Sequence, residues 1–453
     1  MVNMNIDSIN NRQNSSGEGQ DIISYLPDFI IGQILSFLPT KHAVRTCVLS
    51  TRWIYRWRSI TKVDFEDKEP SSNKKIRKSA FQNFVHRVLH LNTSGIQSFS
   101  LSLSESHGDL NVNKWISHVL NGGVREIYID SKEKFDISSE SLLKTPSLEV
   151  LVLKMMNYGA IKVPTFVSLS HLTVLQLSGI IFTCGSSRCS PKLNFNFPTL
   201  RKYEVENCSW LNVKGVTFEV PLLQVLSIKH TREFLTEETL TVIKFCTCHL
   251  KEFSYVGYSL LHTLLLHLST IASANIHLIK GENDKNTAFL TCELLNQLSN
   301  KVERLTYKRS ARYWSAVSKP VPYNAYPNSV HALTDHLEFG RLTRLELGEV
   351  TGKVLMDFLL NTPSLKTLVF EVLCQFEEEL PNYDKVPSCF ISNLQLINFG
   401  RYEGKYHELR FVQFVMENAQ VLKRAIFTVG SNRHANIEKI LSFKRRFIEF
   451  SFY

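Results

Sequence analysis

The sequence predicts an α/β chain: a small three-helix module, a long solenoid of strand-and-return repeats, and a C-terminal unit that caps the stack. Three observations carry that prediction. Apolar residues at helical spacing crowd the stretch Asp21 to Asp67. From Ile96 onward a pattern Φ-x-x-Φ-x-Φ, with Φ apolar, returns at spacings of roughly 23–29 residues, with one gap of 40. Beyond Val386 the pattern flanks a helix whose apolar face is Leu409, Val412, Val415, Met416 and Ala419.

Composition bounds the rest. The chain has 453 residues, 43% hydrophobic and 21% charged, enough to bury a sizeable core. Nine cysteines, an odd number without a CxxC pair, point to reduced thiols in an intracellular protein of cytoplasm or nucleus. Cys246, Cys248 and His249 lack a second half at zinc-ligand spacing, so no metal and no cofactor is expected. The N-terminus has no basic start followed by an apolar run, so no signal peptide is visible. Phe253 to Ile279 contains no Asp, Glu, Lys or Arg, but His262, His267, His277 and Asn275 make it a buried core segment rather than a membrane span. The net charge of +10 gathers in residues 21–65, 68–78 and 423–449, so no long basic stripe tracks a nucleic-acid backbone.

In chain order, residues 1–20 are polar and nearly free of aromatics, and are expected to be a disordered tail. In residues 21–67, Leu26 and Pro27 lead into a first helix, where Pro27 fits the first turn. Phe29, Ile30, Ile31, Ile34, Leu35, Phe37 and Leu38 cover more than one face of it. Pro39 stops that helix, and Thr40 is a plausible N-cap for a second, with Ala43, Val44, Cys47 and Val48 on one face. Ser50 can cap a third helix with Trp53 and Trp57 at i, i+4. So small a bundle cannot hide this much apolar surface. The surplus faces either a partner or the following domain.

The run Leu26-Pro27-Asp28, Ile34 to Lys41, Ala43-Val44, Thr46, Val48 to Ser50, Arg52-Trp53 and Trp57 resembles an F-box of the plant type. Phe29 stands where that family usually has an acidic residue, and Thr51 where Lys is common. The resemblance implies docking on the Skp-type adaptor of a cullin–RING ubiquitin ligase. Its candidate adaptor-binding residues are Leu26, Pro27, Ile30, Ile31, Ile34, Leu35, Leu38, Pro39, Val44, Val48, Leu49, Trp53 and Trp57.

Residues 68–80 are expected to form a basic linker, with Lys74 to Lys78 either solvated or a localisation signal. Residues 81–385 hold the repeats. Clear copies are Leu148-Leu151-Leu153, Leu172-Leu175-Leu177, Leu342-Leu345-Leu347 and Leu365-Leu368-Phe370, and a weak one ends Ile276-Leu278. Their periods suit leucine-rich repeats stacked as a horseshoe. Alternate strand positions then face its concave side, and Tyr128, Lys154, Gln176, Lys202, Glu204, Arg304 and Arg344 are candidate target-binding residues. Tyr313 and Trp314 join them from the long insertion Arg309 to Ser329.

Residues 386–453 read as strand, turn, helix and strand, a cap for the stack. Val386, Pro387, Cys389, Leu394, Tyr402, Glu403, Gly404, Asn418, Ala419, Leu422 and Lys423 resemble the FBD domain that follows leucine-rich repeats in many plant F-box proteins.

No phosphate-binding GxxxxGK[ST], GxSxG or HExxH run is present, and no cysteine has a recognisable nucleophile context. The chain therefore reads as a non-catalytic substrate-recognition subunit of an SCF-type ubiquitin ligase. Its F-box would hold the adaptor, and through it a cullin, while repeats and FBD hold an unknown target protein. The alternatives are an F-box interaction protein acting outside a ligase, and a small-molecule-dependent receptor of the same architecture. Neither a membrane nor a nucleic acid is expected as a partner.

Overall fold

The computed structural model describes residues 26–49, 51–68, 74–93, 95–138, 142–184, 192–231, 241–257, 263–279, 285–309, 337–374, 385–429, 437–443 and 448–452. It is a mixed α/β chain with a helical N-terminal region and a strand-rich body. The first two helices form as expected, Asp28–Ser36 after Pro27 and Thr40–Arg45 after Pro39. Thr40 is the first helical residue rather than the cap. The third helix does not form. Two short 3₁₀ turns take its place, Thr51–Trp53 and Arg56–Ser59, and a third, Thr46–Val48, stands where Cys47 and Val48 are expected to continue the second helix. Side chains here compete for the carbonyls a helix would use. Thr46 Oγ1 donates to Ala43 O, Trp57 Nε1 to Ile54 O and Ser59 Oγ to Arg56 O, all at 2.7–3.0 Å. Tyr55 sits at φ −116°, ψ 0°, outside helical geometry.

The body is built on one sheet of sixteen strands. Fifteen follow one another in chain order, from Lys62–Glu66 and Ser98–Leu103 at one end to Arg424–Val429 and Glu449–Phe452 at the other. Every pairing is parallel. The apolar repeat positions stay in register across the stack. Phe99, Ile127, Leu151, Leu175, Tyr203, Leu226 and Phe253 form one continuous row, and Ala274, Leu305, Leu345, Leu368 and Ile397 continue it. All of these are buried. The weak repeat lies two residues earlier than expected: Ile271, Ala274 and Ile276 fill its core positions. Alanine satisfies a buried row there, and an apolar pattern that excludes Ala misses it.

The return segments are of two kinds. Helices Lys74–Leu91, Asp109–Asn121, Lys285–Leu298, Gly352–Leu360 and Tyr406–Asn418 cover the two ends of the array. Between them, five parallel strands from Phe166–Ser168 to Thr263–His267 make a second sheet facing the first. Its sequences alternate, as in Leu193-Asn194-Phe195 and Val216-Thr217-Phe218, which suits a half-buried strand. Phe195, Phe218 and Phe245 occupy one register row and stack at 4.9 Å with interplanar angles of 15° and 6°. That spacing is the strand spacing itself, about 4.8 Å. Where the sheet gives way to helix, the Gln297 amide closes its last strand. Gln297 Oε1 accepts from Leu266 N–H at 2.6 Å, and Nε2 donates to Leu264 O at 2.8 Å.

Two expected boundaries move. The basic stretch Lys74–Lys78 is the first part of the helix Lys74–Leu91, not linker. The C-terminal unit opens with a short helix, Ser388–Ser392, rather than a strand, because Pro387 starts it. The module itself ends inside the sheet. Asp67, which follows the first strand, is buried with His107 at 2.9 Å and accepts from Ser104 N–H and Glu105 N–H at 2.7 and 3.1 Å. Burial alone would raise the Asp67 carboxyl, but these donors together hold it below its ordinary value. Its ionised form therefore adds stability above the ordinary aspartate range, lost as pH falls through the lowered value. Asp67→Asn is expected to cost about 1–3 kcal/mol at neutral pH. It should also flatten the acid limb of stability against pH, measured by chemical denaturation at a series of pH values.

Candidate docking surfaces

The first helix uses its two faces differently. Ile31, Gly32 and Leu35 are buried against the 3₁₀ turn Arg56–Ser59, and a Cβ on Gly32 would lie 3.0 Å from Ser59 Oγ. On the opposite side Phe29 is 67% exposed and Phe37 87%, with Ile34 beside them. The loop after the second helix adds Val48 at 83% and Leu49 at 67%. With Leu38, Ile54 and Tyr55, eight large exposed apolar side chains lie within residues 29–55. No other stretch of that length among the described residues exposes as many, and such a concentration marks a partner surface.

The expected adaptor-binding residues thus divide. Ile34, Leu38, Pro39, Val48, Leu49 and Pro27 lie exposed, while Leu26, Ile30 and Val44 are half-buried. Ile31, Leu35, Trp53 and Trp57 are buried within the module and cannot be contact residues in this conformation. They are its core. Sequence reasoning passed over Phe29 and Phe37 as contacts. Their i, i+8 spacing on the face opposite Ile31 and Leu35 was the available signal.

The module is not a bead on a linker. Thr40, fully buried, bonds the first strand through both backbone and side chain. Thr40 N–H and Oγ1 donate to Asp64 Oδ1 at 2.9 Å each, and Asp64 N–H donates to Thr40 Oγ1 at 2.7 Å. The second helix thereby covers the open edge of the long sheet. Thr93 N–H to Arg58 O at 2.9 Å and Asn92 Nδ2 to Ile60 O at 2.7 Å fasten the other side. The buried residues of module and body form one continuous cluster.

The outer face of the long sheet collects the expected target-binding residues. Lys202, Arg304 and Arg344 lie in one register row, and Tyr128, Gln176 and Glu204 in the next; Lys154 lies in a third. Their alternates are the buried core rows, so all seven share one face. The face is cross-linked by Gln176 Nε2 to Glu204 at 2.6 Å, Lys202 to Glu204 at 3.1 Å, and Lys229 to Glu206 at 2.8 Å. Tyr313 and Trp314 lie outside the described residues.

At the C-terminal end the turn Glu403-Gly404-Lys405 is held by the buried Glu408 carboxylate, which accepts from Glu403 N–H at 3.1 Å and Lys405 N–H at 2.8 Å. Gly404 supplies φ +74°. Burial pushes the Glu408 carboxyl above its ordinary value, and the two N–H donors oppose that shift. His407 Nε2 bonds Leu373 O at 2.9 Å, tying the helix to the preceding repeat.

Burial pushes the Cys208 and Cys389 thiols up to about 12 and Cys292 to about 11, which keeps them protonated and unreactive. No group of three or more His, Cys, Asp or Glu among the described residues is arranged to hold a metal ion. No described helix is long and apolar enough to cross a membrane.

Comparison with known proteins fits this geometry. The F-box domain family matches residues 23–63, and the FBD family matches residues 382–427. An FBD-associated F-box protein of Arabidopsis thaliana is 29% identical over 437 residues, covering 93% of this chain and 95% of that protein. An F-box/FBD/LRR-repeat protein of the same plant is 25% identical over 432 residues, covering 91% and 93%. An F-box/LRR-repeat protein, also from Arabidopsis thaliana, is 25% identical over 470 residues, covering 95% and 92%. The chain thus carries segments that match the F-box and FBD families, and over nearly its whole length it is similar to plant F-box/FBD/LRR-repeat proteins.

An F-box generally marks a substrate-adaptor subunit of an SCF-type ligase rather than an enzyme. Here the matched F-box segment ends within the strand Lys62–Glu66, so the domain includes its own attachment to the sheet. The FBD segment likewise ends within the strand Arg424–Val429, so both matched segments close on strands of one sheet. Thr40→Val keeps the shape of Thr40 but removes the hydroxyl, leaving Asp64 N–H without that acceptor. It is expected to cost about 1–3 kcal/mol, read as a lower midpoint of thermal unfolding, with the Phe37 and Val48 surface unchanged.

Proposed function

We propose that this chain is the substrate-recognition subunit of an SCF-type ubiquitin ligase. Its F-box, residues 21–67, docks on a Skp-type adaptor, and through it on a cullin. Its leucine-rich repeats, residues 81–385, curve as a horseshoe, with the FBD and cap, residues 386–453, at the far end. The polar face of the stack takes the target protein. Ubiquitin transfer falls to other subunits, and this chain contributes proximity between the target and the charged enzyme.

The observation that carries the reading is the apolar surface of Phe29, Ile34, Phe37, Val48 and Leu49, exposed on a module whose core is filled by other residues. A protein leaves such side chains in water where a partner covers them. Large apolar anchors of this kind supply most of an interface's energy. The mixed-charge face, with its varied side chains, supports a protein target. The work of an SCF subunit places the chain in the cytoplasm, the nucleus or both.

The test is co-expression with a Skp-type adaptor. Phe37→Glu with Val48→Glu is expected to weaken adaptor capture by at least about thirtyfold, the loss of two or more kcal/mol at a hot spot. Far-UV circular dichroism and thermal midpoint should stay as in the unaltered chain. Trp57→Ala, in contrast, should lower the midpoint because it empties a core position. Adaptor capture that survives the double substitution would remove this surface from the interface.

A further inference from the structure

The polar face of the long sheet carries a like-charge pair of which, among the described residues, only one member, Arg344, has a carboxylate partner. Arg304 and Arg344 are direct register neighbours on adjacent parallel strands, which sets their Cα atoms about 4.8 Å apart. Like charges at facing positions destabilise a sheet. The strands cannot shift to relieve this, because the next positions, Leu305 and Leu345, are locked in the buried core row.

Arg304 stands apart from the basic residues around it. Lys202, Lys229, Lys308 and Arg344 each have a carboxylate partner on this face, at 3.1, 2.8, 2.8 and 2.5 Å. Arg304 is exposed and has no ion pair among the described residues. In its own row its neighbours are Ser273 and Arg344, and the nearest carboxylate along that row, Glu252, lies beyond Ser273. The carboxylates close by are already shared. Glu346 accepts from Arg344 and, at 3.4 Å, from Thr306, and Glu371 pairs with Lys308. Ser273, Thr306 and the exposed Asn275 surround the pair with neutral hydrogen-bond donors.

Two guanidinium groups held at strand spacing, Arg304 free and Arg344 on Glu346, with Ser273 and Asn275 beside them, match an anion that binds Arg304 and competes with Glu346 for Arg344. We propose that Arg304 and Arg344 are the anion-reading point of this face and take an acidic segment of the target polypeptide, one bearing carboxylate or phosphate groups. The proposal rests on reading the polar face as the target surface and specifies the chemistry that surface selects. Binding relieves the repulsion between the two arginines.

The test uses the purified full-length chain and three short fluorescein-labelled peptides. They share one Gly/Ser framework and differ only in bearing glutamate, phosphoserine or serine at the same positions. Fluorescence anisotropy is expected to show binding of one or both acidic peptides and none of the serine peptide, with affinity falling as salt rises. Glutamate binding identifies carboxylate as the ligand, and binding by phosphoserine alone identifies phosphate. Arg304→Gln with Arg344→Gln should weaken that binding by about tenfold or more, the loss of a charge-assisted hydrogen bond. Lys154→Gln, the loss of one charge on the same face, should leave it unchanged. Equal binding of acidic and serine peptides would overturn the proposal, as would an equal effect of Lys154→Gln. The assay needs no adaptor and no ligase. Its failure would leave the target-face reading standing on the other residues. That reading fails separately, if a target is captured equally well by chains altered at Tyr128, Gln176 and Glu204.

Discussion

Everything in this molecule depends on parallel strands that stay in register from one end of the stack to the other. Side chains of a strand alternate between its faces, so a slip of one residue would exchange core and surface for the whole strand. Here the second apolar position of each repeat pairs with its counterpart in the next, from Phe99 to Ile397. The same constraint fixes the outer rows. Tyr128, Val152, Gln176 and Glu204 stand side by side only because Ile129, Leu153, Leu177 and Val205 do so beneath them. The polar face is therefore a by-product of core registry, and its side chains hold fixed relative positions without a scaffold of their own. Irregularities fall at glycines. Gly179, at φ +65°, lies where the strand Val150–Val163 bulges, and Gly400 marks the register shift near the C-terminus. A Cβ at Gly400 would come within 2.6 Å of the Phe370 and Glu371 carbonyl oxygens, so that crossing admits no side chain.

A stack of this kind has edges, and unpaired strand edges invite wrong pairing. Two of them here are closed by single polar side chains that imitate a strand. Gln297 does so for the second sheet, taking Leu266 N–H and giving to Leu264 O. Thr40 does so for the long sheet, by its exchange with Asp64. The second case has a functional consequence, because Thr40 belongs to the F-box. The domain that carries the exposed apolar surface is also the cap of the array. Removing it would take the strand Lys62–Glu66 with it and expose the edge of Ser98–Leu103. Point changes on the exposed surface separate docking from folding, whereas deletion of the F-box confounds them.

Much of this was legible in the sequence, and the misses have physical causes. The repeats were readable because each contributes two buried positions at fixed spacing, and Leu, Ile and Phe announce them. Ala274 did not, since alanine is as common on surfaces as in cores, and the repeat was placed two residues late. The second sheet was missed because segments as short as Lys192–Asn196 carry too few alternations to stand out from loop. The F-box was recognised from its residue pattern, but pattern alone could not sort its residues by role. Trp53 and Trp57 keep their i, i+4 spacing, yet the backbone between them turns through Tyr55 rather than running as a helix. On the polar face, all seven described candidates were brought together. Only the register made Arg304 and Arg344 neighbours, since forty residues separate them in the chain.

The split within the F-box pattern has a general reason. A small domain must spend its largest apolar residues on its own core before any are left for a partner, because so little of its surface is interior. This module meets that demand with help from the sheet, since Ile60, Val63 and Phe65 join its core to that of the repeats. The borrowed core lets it hold Phe29, Phe37, Val48 and Leu49 in water without unfolding. An isolated bundle of this size would be pressed to fold them inward. The exposed surface thus depends on the array behind it, and the array's edge depends on the module in front. The apolar surface and the polar face are separate surfaces of one folding unit.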